Sequence, residues 1–335
     1  MTVPVQGSAP RHELVYAQRD SGPLVLDLVL PAQPAALRPT AAPAPVVVWL
    51  HGGGWFTGDR HLAPDLTRWF AARGLAMASI EYRLSGQALF PAQLHDVRAA
   101  VRFLRAHADE LGLDAERIGL WGSSAGGHLA ALAGLTGHVH ALPGEDVGAD
   151  DPSAAVQAVA EGYGPVDLER VVAEAPTSAP PAMSGANAPE ARLLGGLPSE
   201  RRELARDACL LTHVTDAAPP FQIAHGTEDV LVRASQSALL HEALVAAGVE
   251  SSLHLVAGYR HGFLNPAGAV EVPGPPVFDD GRLEREGAAP SACRWSVPGA
   301  EERTGPSSFS FDVVGDFLAR HLGVYDDGRG EGSQR

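Results

Sequence analysis

Gly122-Ser123-Ser124-Ala125-Gly126 sets a serine at the centre of the pattern G-x-S-x-G, between RIGLWG, which reads as a strand, and SAGGHLAALAGL, which reads as a helix. A hydroxyl on so tight a turn stands clear of both elements. It also lies at the start of the helix, where developing negative charge is favoured. Such a serine suits nucleophilic attack on a carbonyl carbon, but it is weak until a base takes its proton and an acid orients the base. Asp229, in FQIAHGTEDVLV, and His261, in LVAGYRHGFLN, each fall just past an apolar strand pattern. Their chain order after Ser124 is the one that accompanies this kind of turn. Glu228, one residue earlier, is the rival acid.

Attack on a carbonyl builds an oxyanion, which preorganised backbone N–H groups stabilise by about 3 kcal/mol each. HGGGWFTGDR (51–60) follows the apolar run PVVVWL and supplies bare backbone there. Gly53 and Gly54 are the expected donors, with the N–H of Ala125 as the third. His51, His95, His128 and His225 read as local hydrogen-bonding or structural residues, and Asp96 as a helix-surface or loop-anchoring carboxylate. A metal site from His138, His140, Glu145 and Asp146 is set aside in favour of a solvated loop.

The elements that must position these residues alternate. Strand patterns at 24–31, 46–50, 75–84, 117–122, 155–164, 221–226 and 251–258 are interleaved with helical patterns at 64–74, 91–112, 124–135, 235–248 and 310–322. That rhythm predicts an α/β fold with a mainly parallel twisted sheet covered by helices on both faces. One domain over 1–324 is expected. Two Pro-, Ala- or Gly-rich stretches, 166–206 and 265–308, break the rhythm and are expected as cap or lid insertions that shape the acyl and alcohol pockets. The last residues, 325–335, are expected to be a disordered tail.

Composition narrows the chemistry further. The 335 residues carry 25 basic and 40 acidic side chains, a formal charge of −15, which argues against nucleic acid or an anionic membrane as partner. All the basic residues are arginine, so Schiff-base, lysine-bound pyridoxal phosphate, P-loop and Ser-x-x-Lys chemistries are excluded. Two cysteines, Cys209 and Cys293, do not make a disulfide framework. With no signal-peptide pattern at the start and no apolar run of spanning length, a cytoplasmic protein is expected. A homo-oligomer is not indicated.

Taken together, VVVWLHGGGW, the stretch from FPAQLHDVRAAVRFL to GLWGSSAGGHLAALAG, YGPVDL, THVTDAAPPFQIAHGTEDVLV and HGF resemble the α/β-hydrolase esterase/lipase family with the HGGG oxyanion motif. Within it, the chain is most similar to bacterial feruloyl-esterase and acetyl-xylan-esterase-like carboxylesterases. The resemblance covers about 24–264 and the final helix. It implies the α/β-hydrolase fold, Ser124 as nucleophile, Asp229 as acid, His261 as base, and oxyanion donors at Gly53, Gly54 and Ala125. The chain departs from the family in Arg233, where a proline is usual, in DACLLTHV, and in the length of 265–308. Ser123 stands where hormone-sensitive-lipase relatives usually carry Asp. The activity expected is a serine carboxylic-ester hydrolase on small to medium acyl esters, with no metal or organic cofactor. An amidase of the arylformamidase kind on the same triad is the alternative, and a non-catalytic ligand-binding relative a more distant one.

Overall fold

Val46, Val48 and Leu50 point to one side of their strand and Val47 and Trp49 to the other, and all five are fully buried. A strand covered on both faces needs an unbroken apolar run, and its neighbours repeat the pattern. The computed structural model describes residues 11–31, 42–175, 184–268 and 277–324. Its strands are β1 (Arg11–Arg19), β2 (Gly22–Val29), β3 (Ala44–Leu50), β4 (Ala76–Ile80), β5 (Leu113–Ser123), β6 (Ala158–Gly162), β7 (Phe221–Gly226), β8 (Ser251–Val256), β9 (Ala289–Ser296) and β10 (Arg303–Phe309). They form one sheet in the order β1-β2-β4-β3-β5-β6-β7-β8-β9-β10. The strands from β4 to β8 in that order pair in parallel. Antiparallel pairs close both sides, β1 and β2 at one and β9 and β10 at the other.

The helices are α1 (Leu66–Trp69), α2 (Ala92–Ala106), α3 (Ala108–Leu111), α4 (Ala125–Thr136), α5 (Leu168–Glu174), α6 (Pro189–Leu194), α7 (Arg202–Ala208), α8 (Ser235–Ala246), α9 (Arg282–Glu286) and α10 (Phe311–His321). On one face Leu94, Val97, Val101 and Leu104 of α2 pack with α4 and α8 against Val46, Val48 and Leu50. On the other, Phe311, Val314 and Leu318 of α10 pack with Leu66 of α1 against Val47, Trp49 and Trp121. Every residue of α4 is buried, so this helix is held along its whole length directly behind Ser124.

From β3 the chain steps to β4 on one side, then crosses to β5 on the other. At such a reversal the loops beyond the two strand ends part and leave a crevice. The glycine loop leaves β3 and the serine turn leaves β5, so both line it.

The alternating elements lie where the sequence predicts them, with shifts of a few residues at their ends. Two expectations change. β1 is an edge strand that the sequence reading passed over. The stretch 265–308, expected as a lid or disordered insertion, puts much of its length into α9 and the β9–β10 hairpin on the sheet edge. Pro306 and Gly305 disguise β10, yet they are tolerated because only one side of an edge strand is hydrogen-bonded. Parts of both insertions, 176–183 and 269–276, and the tail 325–335 lie outside the described residues.

Candidate active site

Ser124 holds φ 54° and ψ −123°, a conformation that side-chain-bearing residues rarely adopt. Its flanking glycines explain how the turn survives. A Cβ on Gly122 would overlap the Gly126 carbonyl, and one on Gly126 would overlap the carbonyl oxygens of Leu50 and His51. The first turn of α4 is therefore pressed against the end of β3. The Ser124 N–H donates to the Gly162 carbonyl at 2.7 Å, which ties the turn to the end of β6 as well.

The acid and the histidine are brought together by an equally close approach. A Cβ on Gly226 would overlap the Tyr259 carbonyl, so the loop after β7 lies directly on the loop after β8. Asp229 Oδ1 accepts the N–H groups of Leu231 and Val232 at 2.9 and 3.0 Å, which fixes the carboxylate within its own turn. Oδ2 then meets His261 Nδ1 at 2.6 Å, and His261 Nε2 meets Ser124 Oγ at 2.8 Å. Ser124, Asp229 and His261 are all buried, whereas Glu228 is exposed.

Burial alone would raise the Asp229 carboxyl, but the charge of His261 and the hydrogen bonds from His225 and His261 outweigh it. The carboxyl is held well below the usual carboxylate range and stays ionised at any working pH. An ionised carboxylate in this position can orient a histidine and stabilise it in its protonated form. Tyr163 adds a wall to the same ring, its own ring edge-on to His261 with centroids 4.8 Å apart. From the 265–308 stretch, Phe278 faces the His261 ring at 5.8 Å and the Asp279 N–H donates to the His261 carbonyl at 2.8 Å. This part of the insertion holds the histidine loop in place.

Gly53 and Gly54 have φ of 105° and 57°, and the Gly53 carbonyl accepts the N–H groups of Phe56 and Thr57, both at 3.1 Å. The loop is thus a tight turn whose carbonyl is turned inward. Among the described residues, the N–H groups of Gly53, Gly54 and Ala125 are not spent on other backbone partners. The turn is backed by His51, which stacks on Tyr82 at 4.3 Å and sets Nδ1 2.7 Å from the Gly52 carbonyl. Burial lowers His51 to about 4, so its ring is neutral. Over the loop lies α6, with Pro189 against Gly54 and the Arg192 guanidinium 4.5 Å above the Phe56 ring.

The other singled-out residues fall into structural places. His128 sets Nε2 2.8 Å from the Ala208 carbonyl, and Asp96 binds both Arg83 and Arg19 from a fully buried position. Glu145 does not belong to a solvated loop, as the sequence reading had it, but is buried between Arg98 and Arg102. No group of three or more metal-ligating side chains occurs among the described residues. Sequence reasoning missed Tyr163, beside His261, and Ser237, bonded to His225, and took His225, which reaches Asp229, as structural alone. The one signal was EGYG, a short turn after a strand, placed beside the serine turn only by the parallel pairing of β5 and β6.

Comparison with known proteins agrees with this fold. A truncated carbohydrate esterase from gut microbiota superposes with a TM-score of 0.61 at 27% identity, covering 77% of this chain and 91% of that one. Esterase 2 of Thermogutta terrifontis gives the same TM-score and identity, covering 77% of this chain and 85% of that one. The fold is that of the α/β-hydrolases. Residues 26–244 match the BD-FAE family, and the chain belongs to it. That span holds Ser124 and Asp229 and stops short of His261. Esterase LipC of Mycobacterium tuberculosis is 34% identical over 66% of this chain and 53% of its own length. For the protein named "Probable carboxylic ester hydrolase LipM" of the same organism the figures are 32%, 58% and 43%. The chain thus spans about half the length of these relatives.

Proposed function

We propose that the protein is a serine carboxylic-ester hydrolase, with Ser124 as nucleophile, His261 as general base and Asp229 as its orienting acid. The observation that carries this reading is the unbroken row from Ser124 Oγ through His261 to Asp229, at 2.8 and 2.6 Å. His261 Nε2 takes the Ser124 proton as Oγ bonds to the ester carbonyl carbon. The oxyanion is received by the N–H groups of Gly53, Gly54 and Ala125. His261 returns the proton to the leaving alcohol, and water then attacks the acyl-enzyme by the same route.

Membership of a family whose relatives are named esterases supports esters over amides as substrates. The proposed substrate is a small-molecule ester: α6 lies on the glycine loop and Phe278 beside His261, so both flank the reacting groups. Among the described residues no helix is long and apolar enough to cross a membrane. Cys209 and Cys293 are free thiols, which supports the cytoplasm as the working compartment.

A fluorophosphonate probe tests the assignment directly, because it bonds only to an activated serine. Peptide mass analysis of the labelled protein is expected to find the adduct on Ser124. An unlabelled Ser124, or a label on Ser123, would overturn it.

A further inference from the structure

Arg19, at the end of β1, and Arg83, just past β4, share one buried partner on α2. Asp96 Oδ1 accepts Arg19 Nε and Arg83 Nη2, both at 2.9 Å. Its Oδ2 accepts the Arg83 backbone N–H at 3.0 Å and the Arg83 Nε at 2.8 Å. A carboxylate has about four lone-pair sites, so these bonds leave Asp96 no capacity for more. Arg83 Nη2 also reaches the Ala92 carbonyl at 3.2 Å. Among the described residues, both Nη groups of Arg19 and Nη1 of Arg83 are left with no acceptor.

These donors border a cavity of about 340 Å³, with Leu89 and Pro91 as apolar wall. His95, 8% exposed, lines it too, and a Cβ on Gly144, another lining residue, would lie 3.8 Å from the ring Cε1. Neither ring nitrogen of His95 has a hydrogen-bond partner among the described residues, and Nε2 is buried. Burial lowers His95 from its ordinary 6.5, against the charges of Glu145 and Asp96, so the ring is neutral and carries one unspent N–H. The first turn of α2, a helix of 15 residues, meets the cavity at Ala92 and turns the positive end of its dipole toward it.

We infer that this cavity binds a small monocarboxylate, gripped by the free guanidinium nitrogens of Arg19 and Arg83 with the His95 ring beside them. Asp96 cancels one of the two guanidinium charges, which leaves one to be matched. Asp146 stands exposed at the same cavity and opposes a second negative charge, so a monoanion is favoured over a phosphate dianion. A guanidinium also meets a carboxylate in a planar, two-bond geometry. The side chains of Arg19 and Arg83 are only 16% and 20% exposed, so such bonds form largely out of water and are stronger for it. The volume lies at the lower end of ligand pockets, about 300–1,000 Å³, and the apolar wall suits a short hydrocarbon or aromatic body.

The site is separate from Ser124 and does not depend on the ester reading. β1 and β4 both run against β2, so Arg19 and Arg83 stand on the sheet edge that also carries Ser124. Between the cavity and α6 lies the 89–91 loop, where Leu89 packs at Gly195 and the Phe90 N–H donates to the Leu193 carbonyl at 3.0 Å. A bridge that only ties β1 and the β4 loop to α2 predicts no saturable binding here.

The test is isothermal titration calorimetry of the full chain with sodium benzoate at neutral pH and constant ionic strength, in wild type, Arg19→Lys and His95→Phe. Inorganic phosphate is titrated separately. Arg19→Lys keeps a charge toward Asp96 and removes both free Nη groups, whereas His95→Phe keeps the bulk of a ring and removes its N–H. Each is expected to weaken benzoate binding about tenfold, the worth of one charge-assisted hydrogen bond. His95→Phe carries the test if Arg19→Lys does not fold. Phosphate is expected to bind more weakly than benzoate. No saturable benzoate binding in wild type, or equal affinity in wild type and the folded variants, as binding in the catalytic crevice alone would give, would overturn the site. Phosphate bound as tightly as benzoate, and weakened by the same variants, would overturn the choice of a monocarboxylate.

Discussion

At the scale of single residues, the proposed active site depends on what is missing as much as on what is present. Ser124 can hold its left-handed backbone because Gly122 and Gly126 let two chains approach where any Cβ would collide. Gly126→Ala forces the first turn of α4 away from the Leu50 and His51 carbonyls and displaces Ser124 from His261. A misplacement of about 1 Å costs roughly 100-fold in rate, so kcat of the soluble variant is expected to fall by about that factor. Gly126→Ala with the kinetics of wild type would show that this close packing is not what the glycine provides.

At the scale of elements, each residue of the proposed triad stands past the end of a different strand and is locked there by a second contact. Gly162 holds the Ser124 turn, the Leu231 and Val232 amides hold Asp229, and Asp279 holds the His261 loop. Behind Ser124, α4 is held in turn by buried charge. Arg98 donates to the Thr136 carbonyl at the helix end and, with Arg102, pairs with Glu145. Burial alone would raise Glu145, but the two guanidiniums outweigh it and hold it below its ordinary 4.5. Its stabilising contribution is therefore whole above pH 4.5 and fades as pH falls through the lowered value. Glu145→Ala leaves two buried guanidiniums without their carboxylate, a loss of about 3–5 kcal/mol. Urea unfolding at neutral pH is expected to show a midpoint well below that of wild type; an unchanged midpoint would contradict the account of this cluster.

At the scale of the molecule, what could be read from the sequence follows from how local each signal is. The serine turn, the glycine loop and the strand-end positions of Asp229 and His261 are carried by short contiguous patterns, and the structure brings Ser124, Asp229 and His261 within hydrogen-bonding distance. The sequence motif pointed to Asp229 over Glu228, and the structure supplies the reason, since the turn buries Asp229 and leaves Glu228 exposed. The contact behind Asp229 was not legible. His225 and Ser237 lie on β7 and α8, which meet only once α8 packs on the sheet. The β9–β10 hairpin was hidden because edge strands accept Gly, Pro and Ser, the same residues that mark loops. Its role is to extend the sheet, while the segment around Phe278 reaches back to the histidine loop.

The central claim is that Ser124, His261 and Asp229 act as one unit on esters. The most direct measurement is the rate of p-nitrophenyl butyrate hydrolysis by wild type beside Ser124→Ala, His261→Ala and the double variant. Each single variant is expected to lose at least about 1000-fold in kcat, and the double variant little more than either, because groups that act as a unit are not additive. A Ser124→Ala protein that keeps wild-type turnover, or losses that multiply in the double variant, would contradict it.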